Sequence, residues 1–162
     1  MKPKLLIVDD DEEIRSQMKW GLTEEYEILL AENRAGALET FKTQRPTVVL
    51  LDLGLPPRPG EPTEGLAALA ELLETDSHAK VIIISGQSER QVAISAIGQG
   101  AFGFIAKPVD IAELKVSLKH AFYLSELESD YRALQQALKN DIFEHMLGSS
   151  PQMHDVFSSI RK

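Results

Sequence analysis

The chain contains no cysteine, which excludes disulfides, thiolate metal sites and a cysteine nucleophile together. No apolar run approaches the roughly 20 residues that a membrane-spanning helix needs. The N-terminus, Met1-Lys2-Pro3-Lys4, meets Asp9 too soon for the apolar core of a secretory signal. Positive charge is in the minority as well. Lysine and arginine number 17 against 25 acids, a formal charge of −8, which argues against a nucleic-acid-binding surface in this stretch. No G-x-x-x-x-G-K sequence occurs, so a phosphate-binding loop of that kind is missing. These absences fit a cytoplasmic protein with no membrane segment.

What is present is most concentrated at Thr47-Val48-Val49-Leu50-Leu51-Asp52-Leu53-Gly54. Unbroken apolar residues run into one carboxylate, as expected of a strand covered on both faces of a parallel sheet. Gly54, Pro56 and Pro57 then favour a strand over a buried helical turn. A second such run, Leu5-Leu6-Ile7-Val8, ends in Asp9, Asp10 and Asp11. Further strands are predicted at 26–31, 80–84 and 101–106. Helical spacing of apolar residues predicts helices over 12–22, 34–44, 65–73 and 90–97, and a last one that Asp110 caps. Strict alternation of strand and helix implies an α/β fold with a parallel sheet and right-handed crossovers. The flavodoxin-like doubly wound arrangement, five strands in order 2-1-3-4-5, meets that pattern.

Such sheets place ligands at the carboxyl ends of their strands. Those ends hold Asp9 and Asp10, Asp52, Ser85 and Lys107. Carboxylates held together repel and raise each other's pKa unless a cation neutralises them. An oxygen-only ligand set suits Mg²⁺. With Lys107 and Ser85 to meet phosphoryl oxygens, Asp52 is free to attack phosphorus.

On Val8-Asp9-Asp10, Leu51-Asp52-Leu53, Ile84-Ser85-Gly86 and Phe104-Ile105-Ala106-Lys107-Pro108, the chain resembles the receiver domain of two-component response regulators over residues 4 to 124. The resemblance implies that Asp52 accepts a phosphoryl group from a sensor histidine kinase. It implies Mg²⁺, or Mn²⁺ in its place, held by Asp10, Asp52 and the main-chain carbonyl of Gly54, with Asp9 acting through water. Ser85 matches the switch hydroxyl, Phe104 the switch aromatic and Lys107 the lysine of the site. A receiver takes part in its own phosphotransfer and is not otherwise an enzyme. Two rivals stand beside this reading. An aspartate-nucleophile phosphatase would need a second acid where Gly54 stands, and an unphosphorylated receiver would serve only for dimerisation.

Several features resist a chemical role. Asp11 reads as a helix cap or a solvated acid, at the first helical turn where acids are favoured. Gly98-Gln99-Gly100-Ala101-Phe102-Gly103 spells a dinucleotide fingerprint, but helix precedes strand there, so the glycines read as a helix stop and a tight turn. The 53–64 loop is long and proline-rich, hence stiff. Asp52-Leu53-Gly54-Leu55-Pro56-Pro57 resembles regulators associated with exosortase and PEP-CTERM protein sorting.

Beyond Phe122, Leu124, Leu127, Tyr131, Leu134 and Leu138 continue in alternating three- and four-residue steps, a heptad seam. Running from Asp110 to about His145, that helix would span roughly 50 Å. A linker over 125–146 is therefore expected to pair in a homodimer, with the receiver face as a second contact. The tail, 147–162, resembles the first residues of the ATPase domain of an NtrC-like sigma-54 activator. The expectation is a receiver and linker cut just inside that AAA+ domain, whose full-length protein contacts sigma-54 RNA polymerase and DNA.

Overall fold

The computed structural model describes residues 2–56, 61–86 and 90–147. They form β1 (Lys4–Val8), α1 (Glu12–Leu22), β2 (Glu27–Ala31), α2 (Arg34–Gln44), β3 (Val48–Asp52), α3 (Thr63–Thr75), β4 (Lys80–Ser85), α4 (Arg90–Gly98), β5 (Gly103–Ala106) and α5 (Ile111–Leu147). All strand pairs are parallel, and the five strands lie in the order β2-β1-β3-β4-β5. The doubly wound order expected from the alternation is the one observed. The chain divides into two compact units, Met1–Ser125 and Glu126–Lys162. Among the described residues, no helix is long and apolar enough to cross a membrane.

The continuous apolar runs are explained by burial on both sheet faces. Leu6 and Val8 of β1 join a core with Ala37 and Phe41 of α2, Leu69 and Leu72 of α3 and Ala93 and Ala96 of α4. Leu5 and Ile7 face the other way, into a core with Met18 and Leu22 of α1 and Leu114, Leu118 and Ala121 of α5. Side chains alternate across a strand, so a strand with helices on both faces has no solvent side to carry polar residues.

Boundaries differ from expectation where local chemistry intervened. β3 runs over Val48–Asp52, one residue on from the run at 47–51, and Asp52 pairs with Ile84 of β4. β5 begins at Gly103 rather than Ala101, because Ala96 and Ile97 carbonyls accept the main-chain N–H groups of Ala101 and Gly100 as α4 unwinds. Gly100 takes φ +118° there, which only glycine adopts without strain. The expected helix stop and turn are both present. Tyr26 lies outside β2 and stacks on Phe122 of α5 at 5.0 Å between ring centroids.

α3 starts at Thr63, two residues earlier than its apolar spacing indicates. The proline-rich segment is thus shorter than expected, and its first residues belong to the core, since Leu53 and Leu55 are fully buried. Pro57 and Pro59 lie outside the described residues, as does the 148–162 stretch of the tail.

In the second unit, Leu127, Tyr131, Leu134 and Leu138 are all exposed. They recur along one helix at the spacing that a second helix would need in order to pair with it.

Candidate functional site

Four strand ends assemble the site. β1 delivers Asp9, 1% exposed, and next to it the exposed Asp10. β3 delivers Asp52, 3% exposed. One carboxylate oxygen from each of the three acids lies within 4.8 Å of the others. Asp11 stays out of this cluster. It is the N-cap of α1, accepting from the N–H groups of Glu13 and Ile14 at 2.9 and 3.4 Å.

β4 ends in Ser85, 1% exposed, and its carbonyl accepts from Lys107 N–H at 2.8 Å. That bond carries β5 onward so that the Lys107 ammonium reaches Asp52 Oδ1 at 3.1 Å. Phe104 packs on the core formed with α2, α3 and α4. It lines a cavity of about 320 Å³ together with Ser85, Gly86, Arg90 and Ala106.

The electrostatics follow from burial of like charges. Asp9 has its pKa raised from 3.8 to about 6, first by burial and then by the charges of Asp52 and Asp10. The Asp11 N–H, donating to Asp9 Oδ1 at 2.9 Å, and the charge of Lys107 work against that rise. Burial also raises Asp52. The Lys107 charge and hydrogen bond, and then the Gly54 N–H, oppose the rise, while Asp10 adds to it.

This donor set fits a hard divalent cation. It offers carboxylate oxygens without nitrogen or sulfur, the ligand type of Mg²⁺. Buried Asp9 Oδ2 has no hydrogen-bond partner among the described residues, an unsatisfied acceptor that a cation or its bound water would meet. Gly54 is buried two residues past Asp52.

The structure brings together Asp9, Asp10, Asp52 and Lys107, and sets Ser85 and Phe104 around the neighbouring cavity. Sequence reasoning missed Arg15, whose Nη1 donates to the Asp9 carbonyl at 2.5 Å. Its place on α1, four residues past Asp11, carries no mark of that bond.

A family model described as the response regulator receiver domain matches residues 5–119. The chain is 30% identical over 161 residues to regulatory protein AtoC of Escherichia coli strain K12, covering 98% of this chain and 34% of AtoC. It is 34% identical over 109 residues to chemotaxis protein CheY of Halobacterium salinarum, covering 67% of this chain and 87% of CheY. A crystal structure of NtrX from Brucella abortus superposes with a TM-score of 0.75 at 32% identity, covering 83% of this chain and 30% of that one. The chain therefore spans about a third of the length of AtoC and of the NtrX chain.

Proposed function

The chain belongs to the response regulator receiver family, and on that premise we propose that Asp52 accepts a phosphoryl group from a sensor histidine kinase in a Mg²⁺-dependent transfer. One observation carries the reading. Asp9, Asp10 and Asp52 converge within 4.8 Å while the Lys107 ammonium stands 3.1 Å from Asp52.

Asp10, Asp52 and the Gly54 main-chain carbonyl would hold the cation, with Asp9 acting through water. Bound there, Mg²⁺, or Mn²⁺ in its place, supplies positive charge to the phosphoryl oxygens. The rest of the chemistry belongs to the chain. A carboxylate oxygen of Asp52 forms the new bond to phosphorus as the phosphorus–nitrogen bond to the donor histidine breaks. The histidine nitrogen departs with the electron pair and takes up a proton. Lys107 then neutralises charge on the transferred group. The Ser85 hydroxyl donates to a phosphoryl oxygen, and Phe104 turns into the cavity that it already lines.

The output runs through the face of α4, β5 and α5; Ile94 of α4 and Val116 of α5 are exposed. A change at that face alters how two copies pair, with the seam of Leu127, Tyr131, Leu134 and Leu138 over residues 125–146 as the second contact. In the full-length protein this cytoplasmic receiver, residues 1–124, controls a downstream AAA+ domain that begins within 147–162 and acts on sigma-54 RNA polymerase at DNA. The residues from Asp52 to Pro57 support a regulator of the exosortase and PEP-CTERM type.

Beryllofluoride, which stands in for a phosphoryl group on a carboxylate, tests the site directly. With Mg²⁺ present, fluorine NMR of the wild-type protein should show a bound species that Asp52→Asn lacks. Equal binding by the two proteins would refute the assignment.

A further inference from the structure

Arg15 sits four residues past the Asp11 cap of α1, and its side chain is only 13% exposed. Arginine is seldom so covered unless its guanidinium is engaged. Here Nη1 donates to the Asp9 carbonyl at 2.5 Å and Nη2 stands 3.6 Å from Glu32 Oε2. Glu32 directly follows β2, so the guanidinium bridges the ends of β1 and β2. The Asp9 N–H also donates to the Ala31 carbonyl of β2, at 3.1 Å. Both main-chain polar groups of Asp9 are therefore held.

The oxygen that Arg15 grips belongs to the peptide unit joining Asp9 to Asp10. That unit is planar, so fixing its oxygen sets the direction in which both acids leave the end of β1. Hydrogen bonds from a guanidinium are charge-assisted and strong. The restraint matters because three acids confined within 4.8 Å repel one another. Without it, the simplest relief is for the Asp9–Asp10 peptide to rotate and carry Asp10 away into solvent.

We infer that Arg15 is a positioning residue for the metal site. Steered by Glu32, it pins the Asp9–Asp10 peptide from behind and keeps both acids aimed at the cluster completed by Asp52. The inference rests on the reading of that cluster as a divalent-cation site. Arg15 acts through the main chain, so its removal changes ligand geometry and not the ligand count.

The test is calorimetric titration of the whole chain with Mg²⁺ and with Mn²⁺, beside thermal melting in chelator. Loss of a group that orients metal ligands lowers affinity by about 10–100-fold, and Arg15→Ala should fall in that range. Arg15→Lys keeps a cationic donor and should recover much of the loss. Glu32→Gln, at a position 69% exposed, should weaken binding by a smaller factor with no change in the melting of the metal-free protein. Lys115→Ala breaks an ion pair of 3.1 Å to Glu25 and should bind like wild type.

A folded Arg15→Ala protein with wild-type affinity would overturn the inference. If Arg15→Ala does not fold, wild-type affinity in both Arg15→Lys and Glu32→Gln would overturn it instead. A wild-type protein that binds neither cation is a different result, for it would overturn the metal-site reading and the inference with it.

Discussion

The Lys107 ammonium stands 3.1 Å from the Asp52 carboxylate, joining the end of β5 to the end of β3 across the intervening β4. Asp52 is almost wholly buried, and burial raises its pKa more than the lysine lowers it. The lysine therefore offsets part of the cost of enclosing a charge. It also stands where a phosphoryl group on Asp52 would need positive charge.

Lys107→Met keeps the aliphatic stem and removes that charge. Loss of one preorganised electrostatic contact costs on the order of 10²–10³ in rate, so phosphorylation of Asp52 should slow by about that factor. Cation binding should persist, because the lysine competes with a cation for Asp52 and does not ligate it. Stopped-flow phosphorylation with a small-molecule donor, beside calorimetry, separates the two effects.

The pH dependence has a definite sign. Asp9 in the metal-free fold has a pKa of about 6 against an ordinary 3.8, so the fold favours its neutral form. Stability from this group is fully present below 3.8 and is lost as pH rises through about 6. Cation binding needs the ionised form and shows the opposite trend. Mg²⁺ affinity should climb as pH rises through about 6 and then level off, with proton release on binding below that pH. Titration calorimetry in two buffers of different ionisation heat measures both quantities.

Gly65 lies on the first turns of α3, where an added Cβ would stand 2.3 Å from Leu53 Cα and 2.5 Å from Leu53 O. Its N–H donates to that same Leu53 carbonyl at 3.2 Å. Gly65→Ala must push apart α3 and the backbone between Asp52 and Gly54. Overpacking of this kind costs about 1–3 kcal/mol. Urea unfolding should register that loss, and cation affinity should fall with it, since Gly54 is a proposed ligand.

Much of this was legible in the residues, for physical reasons. Helix 34–44 is bounded by the Asn33 cap, which accepts from Gly36 N–H at 2.8 Å, and by Arg45, which turns at φ 52° before Pro46. Both ends are marked by residue type, and the helix runs where the spacing puts it. The acids and Lys107 were legible because each closes a strand whose apolar run announces it. Arg15 was not, because it bonds a main-chain oxygen, and nothing in the sequence says where a carbonyl points. The early start of α3 was hidden for a related reason: its first turn is fixed by backbone contact with Leu53, not by apolar spacing. Arg34 also ties that turn down, reaching Glu64 at 2.8 Å, and it holds Glu71 further along α3 at 2.9 Å.

The heptad seam makes a separate prediction. Leu134 is 68% exposed within Glu126–Lys162, so a charge there should leave the receiver fold intact. If the seam pairs two copies, Leu134→Glu should shift the protein from dimer to monomer in multi-angle light scattering. Its circular dichroism in the metal-free state should change little.

Everything proposed for the site depends on Asp52 taking a phosphoryl group and needing the acidic cluster to do so. Intact-protein mass spectrometry after incubation with acetyl phosphate and Mg²⁺ reads this out, with wild type, Asp52→Asn and Asp10→Asn side by side. The wild-type protein should carry a single phosphoryl adduct, Asp52→Asn none and Asp10→Asn a much reduced fraction, and chelator should abolish the wild-type adduct. An adduct of equal yield on Asp52→Asn would show that the phosphoryl group goes elsewhere and that the assignment is wrong.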